Sequence, residues 1–159
     1  MTKPIAPYHN PDARAWRSDP SESALTFHRG MPGYAPTRLI EVPELARELG
    51  VASVHVKEES ARFGLPAFKM LGASYAISRV LSLRYAASTA ALSLAELRAA
   101  LAAHPPVELI AATDGNHGRA VARTARLLGL ASRIFFPGDI SPQAKAAIAS
   151  EATRAIEVD

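Results

Sequence analysis

One lysine of this sequence lies among apolar and small residues. The segment LPAFKMLGASYA places Lys69 directly between Phe68 and Met70. A buried ammonium group is costly unless it is paired or neutralised. An apolar pocket lowers the pKa of a lysine and so supplies the neutral amine that attacks an aldehyde. We therefore predict that Lys69 forms an imine, the alternative being a lysine at a helix start whose ammonium group reaches water.

A second group of reactive side chains follows in the segment AATDGNHGRAVA, which includes Thr113, Asp114, Asn116 and His117. This segment joins a predicted strand to a predicted helix, and ligands bind at such junctions in open parallel sheets. The N–H groups at a helix N-terminus can hold an anion such as a carboxylate. Turn formation and capping alone would also explain these residue types, and His117 by itself favours a structural role. The glycine spacing matches neither a dinucleotide-binding motif nor a Walker motif.

Strands and helices alternate along the chain around these two segments. Apolar periodicity, caps and turn residues predict a helix over 42–50, a strand around Val54 and Val56, and a helix after Lys69. Further on they predict strands over 108–113, 132–137 and 154–159, separated by helices over 119–129 and 141–152. This alternation predicts an α/β fold, in which flanking helices cover a parallel sheet in three layers.

Two finer features concern the helices between Lys69 and the second strand. The apolar face of the helix after Lys69 is predicted to consist of Leu71, Tyr75, Ile77, Val80 and Leu81. The pair Ser93 and Glu96 has the spacing of a capping box, which predicts the start of a further short helix.

Composition narrows the classes of function. The chain has 159 residues, 21% charged and 48% hydrophobic, which is typical of one soluble globular domain. Its net charge of +3 comes from scattered Lys and Arg residues, so nucleic-acid binding is not expected. There is no cysteine, no metal-ligand spacing among the histidines and no apolar run long enough for a membrane span. The proline-rich residues 1–36 predict an irregular arm without a signal peptide, and we expect a cytoplasmic location.

Two blocks in this order, KEESARFGLPAFKMLGASYA and ATDGNHGRAVA, resemble the fold type II (tryptophan synthase β-like) pyridoxal-phosphate enzymes. Within that family they are most similar to the diaminopropionate ammonia-lyases. The resemblance implies pyridoxal phosphate as cofactor, an amino acid as substrate, and the release of ammonia from 2,3-diaminopropionate to give pyruvate. It also implies that full-length members form homodimers.

The resemblance also implies roles for individual residues. Lys69 would bind the cofactor covalently and act as a base at the substrate Cα, and Asn116 would hydrogen-bond the phenolic oxygen of the cofactor. The turn formed by Thr113, Asp114, Gly115, Asn116 and His117 would receive the substrate carboxylate. Asp114 would be the base for the D-isomer, although a cationic amino group at Cβ would equally favour an acid there as a binding group.

Two alternatives stay open. Serine/threonine dehydratases share the fold, but they usually have serine where this chain has Ala67. A non-catalytic remnant is also possible, because the family's chain is more than twice as long. Its glycine-rich phosphate loop and the partner of the pyridine nitrogen lie downstream of Asp159. Residues 37–159 are therefore expected to form the N-terminal part of the catalytic region, with the C-terminal part absent.

Overall fold

The computed structural model describes residues 11–15 and 23–158. A 3-10 helix (Pro11–Arg14) precedes six α-helices: α1 (Ser23–Arg29), α2 (Pro43–Leu49), α3 (Lys69–Ala86), α4 (Leu94–Leu101), α5 (Asn116–Leu128) and α6 (Pro142–Ala149). The five described strands are β1 (Leu39–Glu41), β2 (His55–Lys57), β3 (Glu108–Ala112), β4 (Ala131–Pro137) and β5 (Arg154–Val158). Within these ranges, no helix is both long and apolar enough to cross a membrane.

The last three strands form a parallel sheet in the order β3-β4-β5, in which Ala111 pairs with Ile134 and Ile134 with Ala155. Helices α5 and α6 supply the crossovers, and Ile148 of α6 lies with Ile134 in one buried core. The prediction of an α/β fold with a parallel sheet and flanking helices is confirmed. On the opposite face Ile110 and Val158 are exposed, so the third layer stays a prediction.

The strand over His55–Lys57 does not belong to that sheet. It pairs antiparallel with β1, a strand that the sequence did not predict, in a separate two-stranded sheet. The expectation that this strand opens the parallel sheet is therefore wrong. Strands as short as three residues carry too little periodicity to indicate their partner.

The predicted irregular character of residues 1–36 is corrected at its C-terminal end. Residues Ser23–Arg29 form α1, which buries Phe27 and His28 against the rest of the chain. Helix α1 is only seven residues long, so its pattern is short, and its stability comes from this docking. Residues 1–10 and 16–22 of the predicted arm lie outside the described residues.

The buried face of α3 combines small side chains with part of the predicted apolar face, since Leu81 is 4% exposed and Tyr75 and Ile77 pack against the core. Its buried positions include Ala73, Ser74, Ser78 and Ser82, whereas Val80 is 62% exposed. Serines are tolerated there because their hydroxyls find backbone partners: the Ser78 hydroxyl donates to the Leu92 carbonyl at 2.7 Å. The apolar-face prediction is wrong at Val80, because alanine and serine take buried positions of α3 that the apolar pattern did not include.

The predicted caps around α4, α2 and α6 are confirmed. Ser93 and Glu96 form a complete capping box at the start of α4. Gly50 ends α2 in the left-handed conformation, and the Ser141 hydroxyl accepts a hydrogen bond from the Ala144 N–H at the start of α6. These local signals depend on neighbouring residues alone, which is why the sequence reveals them.

Candidate active-site cleft

The two reactive segments of the sequence meet in one open cleft of about 470 Å³. It is lined by Lys69, Asp114, Gly115, Asn116, His117 and Ala144. Lys69 is the first residue of α3, and Asn116 is the first residue of α5. The cleft lies beside the carboxyl ends of β3 and β4, where open parallel sheets bind their ligands.

Thr113 shapes the turn from behind rather than lining the cleft. Its hydroxyl oxygen accepts hydrogen bonds from the Gly115 and Gly118 N–H groups, each at 3.1 Å. It thereby acts as the cap of α5, whose N-cap residue, Gly115, has no side chain. The Asn116 and His117 N–H groups of the first turn have no intrahelical acceptor, so they suit an anion in the cleft.

Close packing fixes this turn against the sheet. A Cβ atom at Gly118 would lie 2.2 Å from Thr113 Cγ2 and 2.7 Å from Ile134 Cγ2. Only glycine therefore lets α5 start this close to β4 and to the threonine that caps it. The sequence indicated the glycine-rich turn but not which neighbour requires it.

Lys69 is exposed in the cleft, and its Nζ lies 5.2 Å from the centroid of the Phe68 ring. The apolar pocket predicted around its amine is not formed by the described residues. Met70 is fully buried, but consecutive residues of a helix point about 100° apart, and Phe68 is itself 59% exposed. Apolar residues next to Lys69 in sequence therefore do not enclose its amine, which is why this expectation was wrong.

Ala144 is the cleft residue that the sequence did not reveal. It lies in the first turn of α6, and its N–H donates to the Ser141 hydroxyl at 3.2 Å. An alanine has no reactive group and therefore gives no chemical signal. Its place at the carboxyl end of β4 was the available clue, because neighbouring parallel strands end at the same edge.

A buried ion pair holds the loop that leads to Lys69. The Arg62 guanidinium donates to both oxygens of Glu59, at 2.6 and 2.8 Å, and also to the Ala35 carbonyl. The hydrogen bond from Arg62 lowers the pKa of Glu59 from 4.5 to about 2. Arg62 is 5% exposed, so the pair ties segment 34–37 to the loop over 58–65.

A buried histidine holds the first turn of α3 from the other side. The His28 Nε2–H donates to the Leu71 carbonyl at 2.8 Å, a role set by the carbonyl, which only accepts. Burial lowers the pKa of His28 below 6.5. Helix α1 therefore supports α3 two residues beyond Lys69.

The groups that line the cleft suit a cofactor that carries an aldehyde and a phenolic oxygen and that bonds to an amino-acid substrate. A primary amine can bond to the aldehyde, an amide can donate to the oxygen, and a helix N-terminus can receive a carboxylate. The fold and cleft thus define an α/β protein with a lysine facing a helix N-terminus across a ligand cleft.

A family model described as "Pyridoxal-phosphate dependent enzyme" matches residues 31–159. The chain belongs to this family of pyridoxal-phosphate-dependent enzymes.

Two curated relatives show which members of the family this chain resembles. The chain is 42% identical over 120 residues to a diaminopropionate ammonia-lyase of Salmonella typhimurium, and 43% identical over 114 residues to that of Escherichia coli K12. These matches cover 71% and 72% of this chain and 28% of each relative. The chain thus spans little more than a quarter of the length of the curated relatives it matches.

Solved structures are similar to this chain as well. The apo crystal structure of the Escherichia coli diaminopropionate ammonia-lyase has a TM-score of 0.77 at 38% identity, covering 87% of this chain and 37% of that chain. The same enzyme in complex with D-serine matches equally well, with 35% of that chain covered. Maize serine racemase, at 20% identity and a TM-score of 0.58, covers 87% of this chain and 36% of that chain, and it shows the shared fold alone.

Proposed function

We propose that this chain supplies part of the active site of a diaminopropionate ammonia-lyase, which releases ammonia from 2,3-diaminopropionate and yields pyruvate. The observation that carries the proposal is the cleft in which Lys69 borders Asp114 and the N-terminus of α5. The identity of 42–43% to enzymes of that name supports the same substrate.

Pyridoxal phosphate, when bound, supplies an electron sink for the charge left at Cα after proton removal. Lys69 would hold the cofactor through its amine until the amino group of the substrate replaces it, which would leave the Lys69 amine free, and Asn116 would hydrogen-bond the phenolic oxygen. The N–H groups at the start of α5 receive the substrate carboxylate, so that Cα lies beside Lys69.

The proton steps belong to Lys69 and Asp114. The Lys69 amine takes the Cα proton of the L-isomer, and the Asp114 carboxylate takes that of the D-isomer on the other face. The Cβ–N bond then breaks and its nitrogen leaves as ammonia. Water hydrolyses the resulting enamine to pyruvate, with release of a second ammonia.

Asp114 also distinguishes this substrate from serine and threonine. The amino group at Cβ of diaminopropionate is a cation when protonated, whereas the hydroxyl of serine or threonine is neutral. A carboxylate that borders the cleft attracts the cation and has no such preference for a hydroxyl. This charge favours diaminopropionate over the serine/threonine dehydratase alternative.

Three broader expectations belong to the same proposal. Residues 37–159 form the N-terminal part of the catalytic region, the enzyme is a cytoplasmic homodimer, and its substrate is a free amino acid. The family match over 31–159 supports the first, and the names of the relatives support the third.

Cofactor attachment tests the role of Lys69. Pyridoxal phosphate added to the chain should produce an absorbance band between about 400 and 430 nm that is lost in Lys69→Ala. Lys57→Ala is the matched control, since Lys57 lies outside the cleft and donates to the Thr37 carbonyl. A band that survives Lys69→Ala would favour the non-catalytic remnant.

Product analysis of the polypeptide encoded by the complete gene tests the reaction. Pyruvate should form faster from diaminopropionate than 2-oxobutyrate forms from threonine, and the reverse order would support a dehydratase. Asp114→Asn should reduce turnover of the D-isomer more than that of the L-isomer. Equal losses would remove Asp114 from the role of D-specific base.

A further inference from the structure

A buried carboxylate links α6 to α5, two of the helices that line the cleft. Glu151 follows the C-terminus of α6, and its side chain is 1% exposed. Three arginines of α5 surround it: Arg119 at 3.3 Å, Arg123 at 2.5 Å and Arg126 at 3.5 Å. The pairing explains why a carboxylate can be buried here, because an isolated buried charge is costly.

Arg123 differs from its two neighbours because it also reaches a third segment. Its Nε and one terminal nitrogen donate to the two oxygens of Glu151, at 2.5 and 2.8 Å. The other terminal nitrogen donates to the Phe63 carbonyl at 3.2 Å. The planar fork of a guanidinium allows this division, whereas a lysine ammonium presents its donors from a single nitrogen.

Phe63 needs such support because its backbone is strained. It has a φ of 52° and is followed by Gly64 with a φ of 71°, so two successive residues adopt the left-handed conformation. A bulky residue in this region costs about 1–3 kcal/mol and persists only where its surroundings hold it. The turn lies six residues before Lys69, in the loop that leads into α3.

The three segments that meet at Arg123 and Glu151 are the segments that form the cleft. The Phe63 loop leads to Lys69, and α5 carries Asn116 and His117 in its first turn. Helix α6 carries Ala144 in its first turn and ends just before Glu151. The Arg123–Glu151 ion pair and the hydrogen bond from Arg123 to Phe63 therefore connect all three segments.

We propose that Arg123, oriented by Glu151, is a positioning residue that holds Lys69 against the 114–117 turn. The inference rests on the proposed function, since it concerns the same amine. Arg123 touches neither cofactor nor substrate, and it acts through the loop before Lys69.

The test measures how selectively Lys69 reacts. The whole chain is incubated with pyridoxal phosphate, the adducts are reduced with borohydride, and peptide mass spectrometry gives the initial labelling rate of each lysine. Lys57 is the internal reference because it lies in β2, outside the cleft, where its Nζ donates to the Thr37 carbonyl. The ratio of the Lys69 rate to the Lys57 rate is the readout, which corrects for the amounts of protein and reagent.

We expect Arg123→Met to lower this ratio about tenfold, since small displacements of a reacting group cost that much or more. Arg126→Met is the matched control, because Arg126 lies on the same helix and contacts the same carboxylate. Its side chain is 48% exposed, and its contact of 3.5 Å is longer than that of Arg123. It should leave the ratio unchanged. Should Arg123→Met not fold, Arg123→Lys takes its place, since it keeps the charge beside Glu151 but loses the fork.

The outcomes separate the two proposals. A wild-type ratio near one overturns the proposed function, because the cleft then gives Lys69 no advantage. A high wild-type ratio that Arg123→Met, or Arg123→Lys in its place, leaves unchanged overturns the positioning role alone. A fall in the Arg126 control equal to that in the Arg123 variants also overturns it, since the effect would then come from Glu151 without the Phe63 contact.

Discussion

Substitution of Gly118 by alanine tests the packing that holds the α5 turn in place. The added methyl would overlap Thr113 Cγ2 and Ile134 Cγ2, and both neighbours are β-branched and therefore stiff. Overpacking of this kind costs about 1–3 kcal/mol. If Thr113 turns away to relieve the overlap, the loss of its cap to Gly115 and Gly118 costs about 1 kcal/mol more. The higher helix propensity of alanine offsets about 1 kcal/mol, which leaves a net loss of about 0–2 kcal/mol if the cap is kept and about 1–3 kcal/mol if it is lost.

Gly72→Ala is the matched control for this substitution. Gly72 is also helical and lies in α3, but it is exposed and a Cβ atom there would meet nothing within 4 Å. Alanine should therefore stabilise the protein by about 0.5–1 kcal/mol. Urea denaturation followed by circular dichroism gives both changes in the free energy of unfolding. If both variants proved equally stabilised, the turn would have room to move and its packing could not fix the cleft.

Two further predictions concern pH. Because the pKa of Glu59 falls from 4.5 to about 2 on folding, its contribution to stability is complete above pH 4.5 and is lost as the pH falls toward 2. Glu59→Gln should therefore be less stable than the wild type by on the order of 3 kcal/mol above pH 4.5, and this difference should disappear as the pH falls toward 2. A difference in urea-derived stability that stays constant with pH would contradict the ion pair with Arg62. The lowered pKa of His28 means that stability is complete above pH 6.5 and declines as the pH falls through the lowered value. His28→Gln keeps a donor for the Leu71 carbonyl but cannot titrate, so its stability should vary less than that of the wild type between pH 7 and 5, and parallel curves would exclude His28 as the source.

The helices and strands of the parallel sheet were largely predictable because their signals are local. Gly50 marks the end of α2 and Ser93 the start of α4, each through hydrogen bonds to residues three or four positions away. The buried face of α5, which includes Val121, Ala125 and Leu128, follows directly from helical periodicity. Each of these features depends on contacts within one element.

Features that depend on two elements were missed or wrongly predicted. The exposure of Val80 and the burial of Ser78 and Ser82 depend on how α3 packs on the elements around it. The pairing of β2 with β1 depends on the loop that carries α2 between them. The exposure of Lys69 depends on which side of α3 faces the core, and the apolar residues that flank it in the sequence did not indicate this side.

The sequence by itself determined the family, the order of the elements from α2 onward and most of the residue types that meet at the cleft, because each is encoded in a local pattern. The tertiary structure alone decided that Thr113 caps the turn instead of lining the cleft, that Ala144 forms a wall, and that Arg123 joins Glu151 to Phe63. These are contacts between residues five to sixty positions apart. Their geometry is set by how the helices pack on the sheet, which no single segment of the chain specifies.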